Sequence, residues 1–235
     1  MAPKFCAVIV AAGRGVRFGK PKQLVDLAGH PLVSWSLQVF GGMPELDALV
    51  IATEPENVET LRGLASAYAP SLEATVVAGG ATRQQSVRNA LAAVPAGCDA
   101  VFVHDGARPL INEVDVRAGM AAVRPGIGSV LASPVTDTIK VVPEGTRTVL
   151  RTLDRRELWA AQTPQFAMLD DLLRAHEAAA RDGFDATDDV GLLERIGLQV
   201  VVVPAKSENY KVTHRLDLEV VEAIMRDRLA RLDER

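Results

Sequence analysis

The chain has 235 residues, 48% of them hydrophobic and 24% charged, with a formal net charge of -4. That places it in the soluble globular class, long enough for a large core in one α/β domain, and argues against a general nucleic-acid binder, which would show a basic excess. No apolar run reaches the roughly 18 residues of a membrane helix, and the short apolar start reads on into a glycine loop, so a cytoplasmic protein without a membrane span is expected.

In chain order, short β-rich runs alternate with segments of helical period, the pattern of βαβ units on a mainly parallel sheet. Strands are predicted at Cys6–Val10, Ala48–Ala52, Ala74–Val77, Ala100–His104, Ser129–Ala132 and Gln199–Val203. Each is short and nearly all apolar, as strands covered on both faces should be. Helices are predicted at Pro31–Phe40, Pro55–Tyr68, Thr82–Val94, Asn112–Val123, Leu169–Arg181, Asp188–Ile196 and Leu216–Leu232. Cys6 and Cys98 fall in apolar, strand-like segments without metal-ligand spacing and read as small buried residues.

One segment breaks the rhythm. From Asp137 to Asp154 residue types alternate on either side of Pro143-Glu144-Gly145-Thr146, which predicts a β-hairpin. Its free edges suit pairing with a second chain, so a dimerisation arm is expected; a lid or surface ribbon is the other reading.

The loops after the strands carry the chemistry, because ligands of open α/β sheets sit at the carboxyl ends of the strands. AAGRGVRFGKPKQ sets Gly13, Gly15 and Gly19 beside Arg17, Lys20 and Lys22. Glycines let backbone N–H groups approach a phosphate chain and the cations offset its charge, although a tight strand-to-loop turn explains the glycines equally well. The spacing matches neither GxxxxGK[ST] nor GxGxxG. In VFVHDGARP, Asp105 can hold a ribose hydroxyl or help position Mg²⁺ and Arg108 can grip an anion, against an Asp-Gly turn locked by an internal ion pair. His104 reads as a hydrogen-bonded structural residue. In AGGATRQQSVRNAL, Gly80 and Ser86 can read a base edge or simply form a βα turn. ENYKVTH sets Lys211 and Thr213 on one side of a short extended segment, for a phosphate or as an exposed edge.

No motif supplies a nucleophile or a metal cage. Phosphoryl-type transfer needs neither, since a phosphate monoester with its second pKa about 6 is already a dianionic nucleophile at neutral pH.

Together AAGRGVRF…PKQ, HDGARP, PVTDT, LDRRELWAAQTPQF and ENYKVTHRLDL, in that order from Ala11 to Leu218, resemble the 2-C-methyl-D-erythritol 4-phosphate cytidylyltransferases of the non-mevalonate isoprenoid pathway. The resemblance implies a Rossmann-like, mainly parallel α/β sheet of nucleotidyltransferase type over residues 1–235, with 137–154 protruding as a dimerisation arm of a homodimer. It implies a reaction of CTP with the sugar-alcohol phosphate that gives 4-diphosphocytidyl-2-C-methyl-D-erythritol and pyrophosphate, assisted by Mg²⁺ held mainly by the CTP phosphates. By position, Ala11, Ala12, Gly13 and Gly15 would line the CTP loop, and Arg17 and Lys22 would stabilise the transition state. Gly80 and Ser86 would read cytosine, and Asp105 would sit by the ribose, the metal or the second substrate. Arg108, Thr138, Arg155 and Thr213 would contact the second substrate, Thr138 and Arg155 across the dimer, with Lys211 near the reacting phosphate. The Phe18-Gly19-Lys20 stretch, shorter than the loop many family members place there, and Ala81, where a carboxylate is common, depart from the pattern.

The nearest rival is a ribitol-5-phosphate cytidylyltransferase, disfavoured by AAG at Ala11–Gly13, ARP at Ala107–Pro109 and LW at Leu158–Trp159. A dehydrogenase-type dinucleotide domain is disfavoured by the displaced third glycine and the cationic loop.

Overall fold

A computed structural model describes residues 3–13, 21–206 and 208–233. Its frame is a seven-stranded sheet whose strands lie in the spatial order Gln199–Pro204 (β11), Ile127–Pro134 (β7), Trp159–Met168 (β10), Ala100–Asp105 (β6), Phe5–Ala11 (β1), Leu46–Thr53 (β4) and Glu73–Ala78 (β5). Six strands fall on the predicted runs, each extended by a residue or more: β1 Phe5–Ala11, β4 Leu46–Thr53, β5 Glu73–Ala78, β6 Ala100–Asp105, β7 Ile127–Pro134 and β11 Gln199–Pro204. The two-residue strands β2 Asp26–Leu27 and β3 His30–Pro31 form a small ribbon of their own.

β1 shows why the runs are continuously apolar. Phe5, Ala7, Ile9 and Ala11 enter one core cluster, with Leu37, Phe40 and Phe102, while Cys6 and Val8 enter another, with Val87, Leu91 and Leu172. Successive side chains point to opposite faces, and both faces are covered. The covering helices are α1 Leu32–Gly41, α2 Val58–Tyr68, α3 Arg83–Leu91, α4 Glu113–Ala122, α5 Leu169–Asp182 and α6 Val190–Arg195, while α7 Arg215–Asp233 joins a separate cluster with Leu27, Leu32, Trp35, Leu110 and Val212. Pro55–Asn57, expected to begin α2, forms a separate 3-10 turn ahead of it.

Besides the β2–β3 ribbon, one strand of the main sheet escapes the sequence reading. β10, Trp159–Met168, runs antiparallel between β6 and β7 and makes the sheet mixed. Its first half is largely exposed and its second half buried. Its ladder to β7 is irregular between Ala161 and Gln165, the stretch that holds Pro164. A proline inside a run argues against a strand unless the ladder is interrupted there, as here.

Cys98 is also corrected: it lies in the loop before β6, not in a strand, and both cysteines are free thiols. The hairpin forms where expected but is brief. β8, Lys140–Val141, pairs antiparallel with β9, Arg151–Thr152, and Thr146 N–H donates to Pro143 O at 3.1 Å to close the turn. Ile139, Val142, Val149 and Leu150 are exposed on it.

The sheet order fixes where a ligand can go. β1 is flanked by β4, which continues towards β5, and by β6, to which the chain returns after β5. The carboxyl ends of β1 and β6 therefore border a crevice at the point where the strand order reverses.

Candidate active site

Two adjoining cavities occupy that crevice. The first, about 350 Å³, is lined by Ala12, Gly13, Lys22, Gly80, Ser86 and Asp105 among others. The second, about 260 Å³, includes Arg108, Thr163, Thr187 and Asp188 in its wall. Arg83, Asp105 and Lys211 line both.

Asp105 ends β6 and is the electrostatic centre. Its Oδ2 accepts from Lys211 Nζ at 2.7 Å and its Oδ1 from Arg83 Nε at 3.2 Å, with Arg108 Nε 3.8 Å away. Burial alone would raise its pKa, but Arg83, Lys211 and Arg108 override this and hold the carboxyl well below the usual range. The pKa of the neighbouring Arg108 is lowered as well: burial is the main cause, Asp105 opposes it and Arg83 adds to it. Arg108 also donates from Nη1 to Asn209 O at 2.8 Å, while its buried Nε makes no hydrogen bond.

The other wall of the first cavity is the turn between β5 and α3. Thr82 caps α3, accepting from Gln85 N–H at 3.1 Å, and Gln85 reaches back to accept from Ala81 N–H at 3.0 Å, a T-x-x-Q variant of the capping box. Ser86 Oγ accepts from Gly80 N–H at 3.0 Å and donates to Thr82 O at 2.9 Å. A hydroxyl has two lone pairs, so one acceptor position remains for a ligand amino group. Gly79 is required by close approach: a Cβ there would lie 2.5 Å from Ala12 Cβ.

Lys211 is not on an edge strand, the alternative that the sequence left open. Val212 is fully buried against Leu27, Leu32, Trp35 and Leu110, and its N–H donates to Ala107 O at 2.8 Å. That anchorage turns Lys211 towards Asp105. Thr213 lines neither cavity; its N–H donates to Asp217 Oδ2 at 2.7 Å at the start of α7. His104 is the structural residue expected, fully buried and within 3.2 Å of Ser36 Oγ and of Arg108 O.

The structure thus brings together Ala12, Gly13, Lys22, Gly80, Ser86, Asp105, Arg108 and Lys211, with Ala11 at the end of β1. Gly15, Arg17 and the shortened Phe18-Gly19-Lys20 stretch lie outside the described residues. Thr138 and Arg155 line neither cavity; both are exposed at the base of the arm, where Arg155 Nη1 donates to Thr136 O at 2.8 Å. Sequence reasoning missed Arg83, whose Nη2 also donates to Asp189 Oδ2 at 2.7 Å. A signal existed: Arg83 is the first residue of α3, directly after the Gly79-Gly80 turn. Among the described residues, no group of three or more His, Cys, Asp or Glu side chains could hold a metal ion, and no helix is long and apolar enough to cross a membrane.

Comparison with known proteins agrees with this geometry. The family model for 2-C-methyl-D-erythritol 4-phosphate cytidylyltransferase matches residues 5–227. A protein of that name from Streptomyces avermitilis is 40% identical over 229 residues, covering 93% of this chain and 90% of its own. Another from Gloeobacter violaceus is 40% identical over 224 residues, covering 94% and 96%. The crystal structure of the enzyme of that name from Thermus thermophilus is similar with a TM-score of 0.76 at 32% identity, over 93% of this chain and 98% of that one. Likeness of this extent, in sequence and in backbone, means that the chain belongs to the 2-C-methyl-D-erythritol 4-phosphate cytidylyltransferase family of nucleotidyltransferases.

Proposed function

We infer that the chain carries out its family's reaction, moving a cytidylyl group from CTP to 2-C-methyl-D-erythritol 4-phosphate and releasing pyrophosphate, with one substrate in each cavity. The observation that carries this division is the common wall of Arg83, Asp105 and Lys211. CTP fills the first cavity, its base against Gly80 and Ser86 and its triphosphate along the loop after β1. The acceptor phosphate fills the second, where the buried Arg108 Nε has no hydrogen-bond partner.

The acceptor phosphate oxygen attacks the α-phosphorus in line, the bond to the bridging oxygen breaks, and pyrophosphate leaves with that electron pair. Lys211 stands at the boundary, placed to neutralise both phosphates. Lys22, in the first cavity, and Arg17 offset the charge on the departing pyrophosphate. No covalent enzyme intermediate is required.

Among the described residues magnesium finds no protein cage. Asp105 spends one oxygen on Arg83 and the other on Lys211, a poor donor set for a divalent ion. The ion is better supplied already bound to the CTP phosphates, where it would offset their charge. The exposed apolar side chains of the 137–154 arm support a homodimer in which Thr138 and Arg155 serve the partner's second cavity, each chain contributing one catalytic domain.

The test is pyrophosphate release on mixing the protein with CTP, Mg²⁺ and 2-C-methyl-D-erythritol 4-phosphate, run beside ribitol 5-phosphate. Turnover with the first acceptor is expected; preferred use of the second overturns the acceptor assignment, and release with neither overturns the function.

A further inference from the structure

Behind the common wall lies a carboxylate that the reaction as described does not use. Asp189 is almost fully buried at the position before α6, where an aspartate ordinarily caps the helix. Here it does not. Gln165 Oε1 takes the N–H groups of Asp189 and Val190 at 2.8 and 3.0 Å, and Asp188 Oδ1 takes that of Gly191 at 3.0 Å. The capping work is done by neighbours, which leaves the Asp189 side chain for Arg83 Nη2 at 2.7 Å.

A buried carboxylate is costly unless paired, so its one strong partner defines what it does. Arg83 is shared: Nη2 faces Asp189 and Nε faces Asp105. On the far side of Asp189 is His176 of α5, with Nε2 3.9 Å from Asp189 Oδ1 and neither ring nitrogen hydrogen-bonded. Burial lowers its pKa, so at neutral pH the ring is no rival cation for Asp189.

We propose that Asp189 is a positioning residue for the transfer reaction: by holding one arm of the Arg83 guanidinium, it limits Arg83 to a single contact with Asp105 and leaves the other Asp105 oxygen to Lys211. A guanidinium binds a lone carboxylate through two parallel N–H donors when nothing restrains it. Released from Asp189, Arg83 closes on both oxygens of Asp105 and displaces Lys211 from the boundary between the cavities. The proposal rests on the cytidylyl-transfer reading, since it concerns the alignment of the same two substrates.

Asp189→Asn keeps the shape and removes the charge. Its kcat is expected to fall at least tenfold, with KM for CTP and for the acceptor each changing less than about threefold, because the interaction lost is realised in alignment and not in ground-state binding. Asp189→Glu should recover part of kcat, and Asp189→Asn combined with Arg83→Lys should be no worse than the poorer single variant. In a crystal structure of Asp189→Asn, the 2.7 Å bridge between Lys211 Nζ and Asp105 Oδ2 should open. Wild-type kcat in Asp189→Asn, additive losses in the double variant, or an unaltered bridge each overturn the proposal. The wild-type protein in the same assay separates that result from failure of the function itself, and the crystal structure decides the matter even without turnover.

Discussion

Lys211 Nζ and Asp105 Oδ2 meet at 2.7 Å although 106 positions separate them in the chain. Two loops after different elements are thus joined by one ion pair. Asp105 is mostly buried and is also the partner of Arg83, so its removal leaves a cluster of cations under-compensated. Asp105→Asn is expected to cost about 3–5 kcal/mol of stability, the range for breaking a buried pair from one side. Urea unfolding at pH 7 measures it, and a loss below about 1 kcal/mol would refute the assignment. The pH dependence has a definite sign. A carboxyl held low in the folded state contributes stability above its unfolded pKa, near 3.8, and loses it as pH falls through the lower folded value.

Lys22 lines the first cavity, on the side of the loop that follows β1. Lys22→Ala should lower kcat by roughly 10² or more if it stabilises charge on leaving pyrophosphate. Steady-state pyrophosphate release decides, and near-normal turnover removes Lys22 from the catalytic set.

The arm places Arg155 away from the cavities of its own chain. Mixing inactive Arg17→Ala and Arg155→Ala subunits should restore part of the activity if sites are completed across a dimer, since each heterodimer then has one intact site. Activity that stays absent after subunit exchange counts against shared sites.

His104 is neutral in the fold. Burial lowers its pKa from 6.5 to about 4, with Asp105 pulling it up and Arg108 down. Between those values the unfolded chain binds more protons, so stability rises with pH through the window and is lost as pH falls through it. At about 1.4 kcal/mol per unit the full effect is about 3 kcal/mol. Denaturation of wild type and His104→Asn at pH 4.5 and 7 checks this: the difference between the two pH values should shrink in the variant.

Gly119 lies in the middle of α4, where alanine would normally stabilise a helix. A Cβ at that position would come within 2.1 Å of the buried Phe166 ring. Gly119→Ala should therefore destabilise by about 1–3 kcal/mol, read as a lower denaturant midpoint at unchanged slope. A raised midpoint would show that the ring can move aside.

The parallel strands and their helices were readable because each is a self-contained run: β1, β4 and β6 are apolar nearly throughout, and α3 is announced by Thr82 and its periodic Val87 and Leu91. β10 was not, because its pattern is split between exposed and buried halves around Pro164 and its place in the sheet depends on partners far away in sequence. In the same way Asp105, Lys22 and Lys211 stand in or beside loops of telling composition, whereas Arg83 reads as one more charged residue on a wet helix face. Its place just after the Gly79-Gly80 turn is a local hint, but its pairing with Asp189, 106 positions on, is written in no local pattern.

The packing of Val212 has a consequence for the end of the chain. Its cluster is completed by Val221 and Met225 of α7, and Arg228 Nη1 donates to Leu110 O at 2.8 Å just beyond the Asp105 loop. The terminal helix is therefore a splint for the lysine at the reaction centre. Shortening the chain to before Val221 would strip one side of Val212 while sparing the seven-stranded sheet. Such a truncation would show itself as lost turnover before it showed itself as lost structure, and the tail of this chain belongs to its chemistry as much as the loops do.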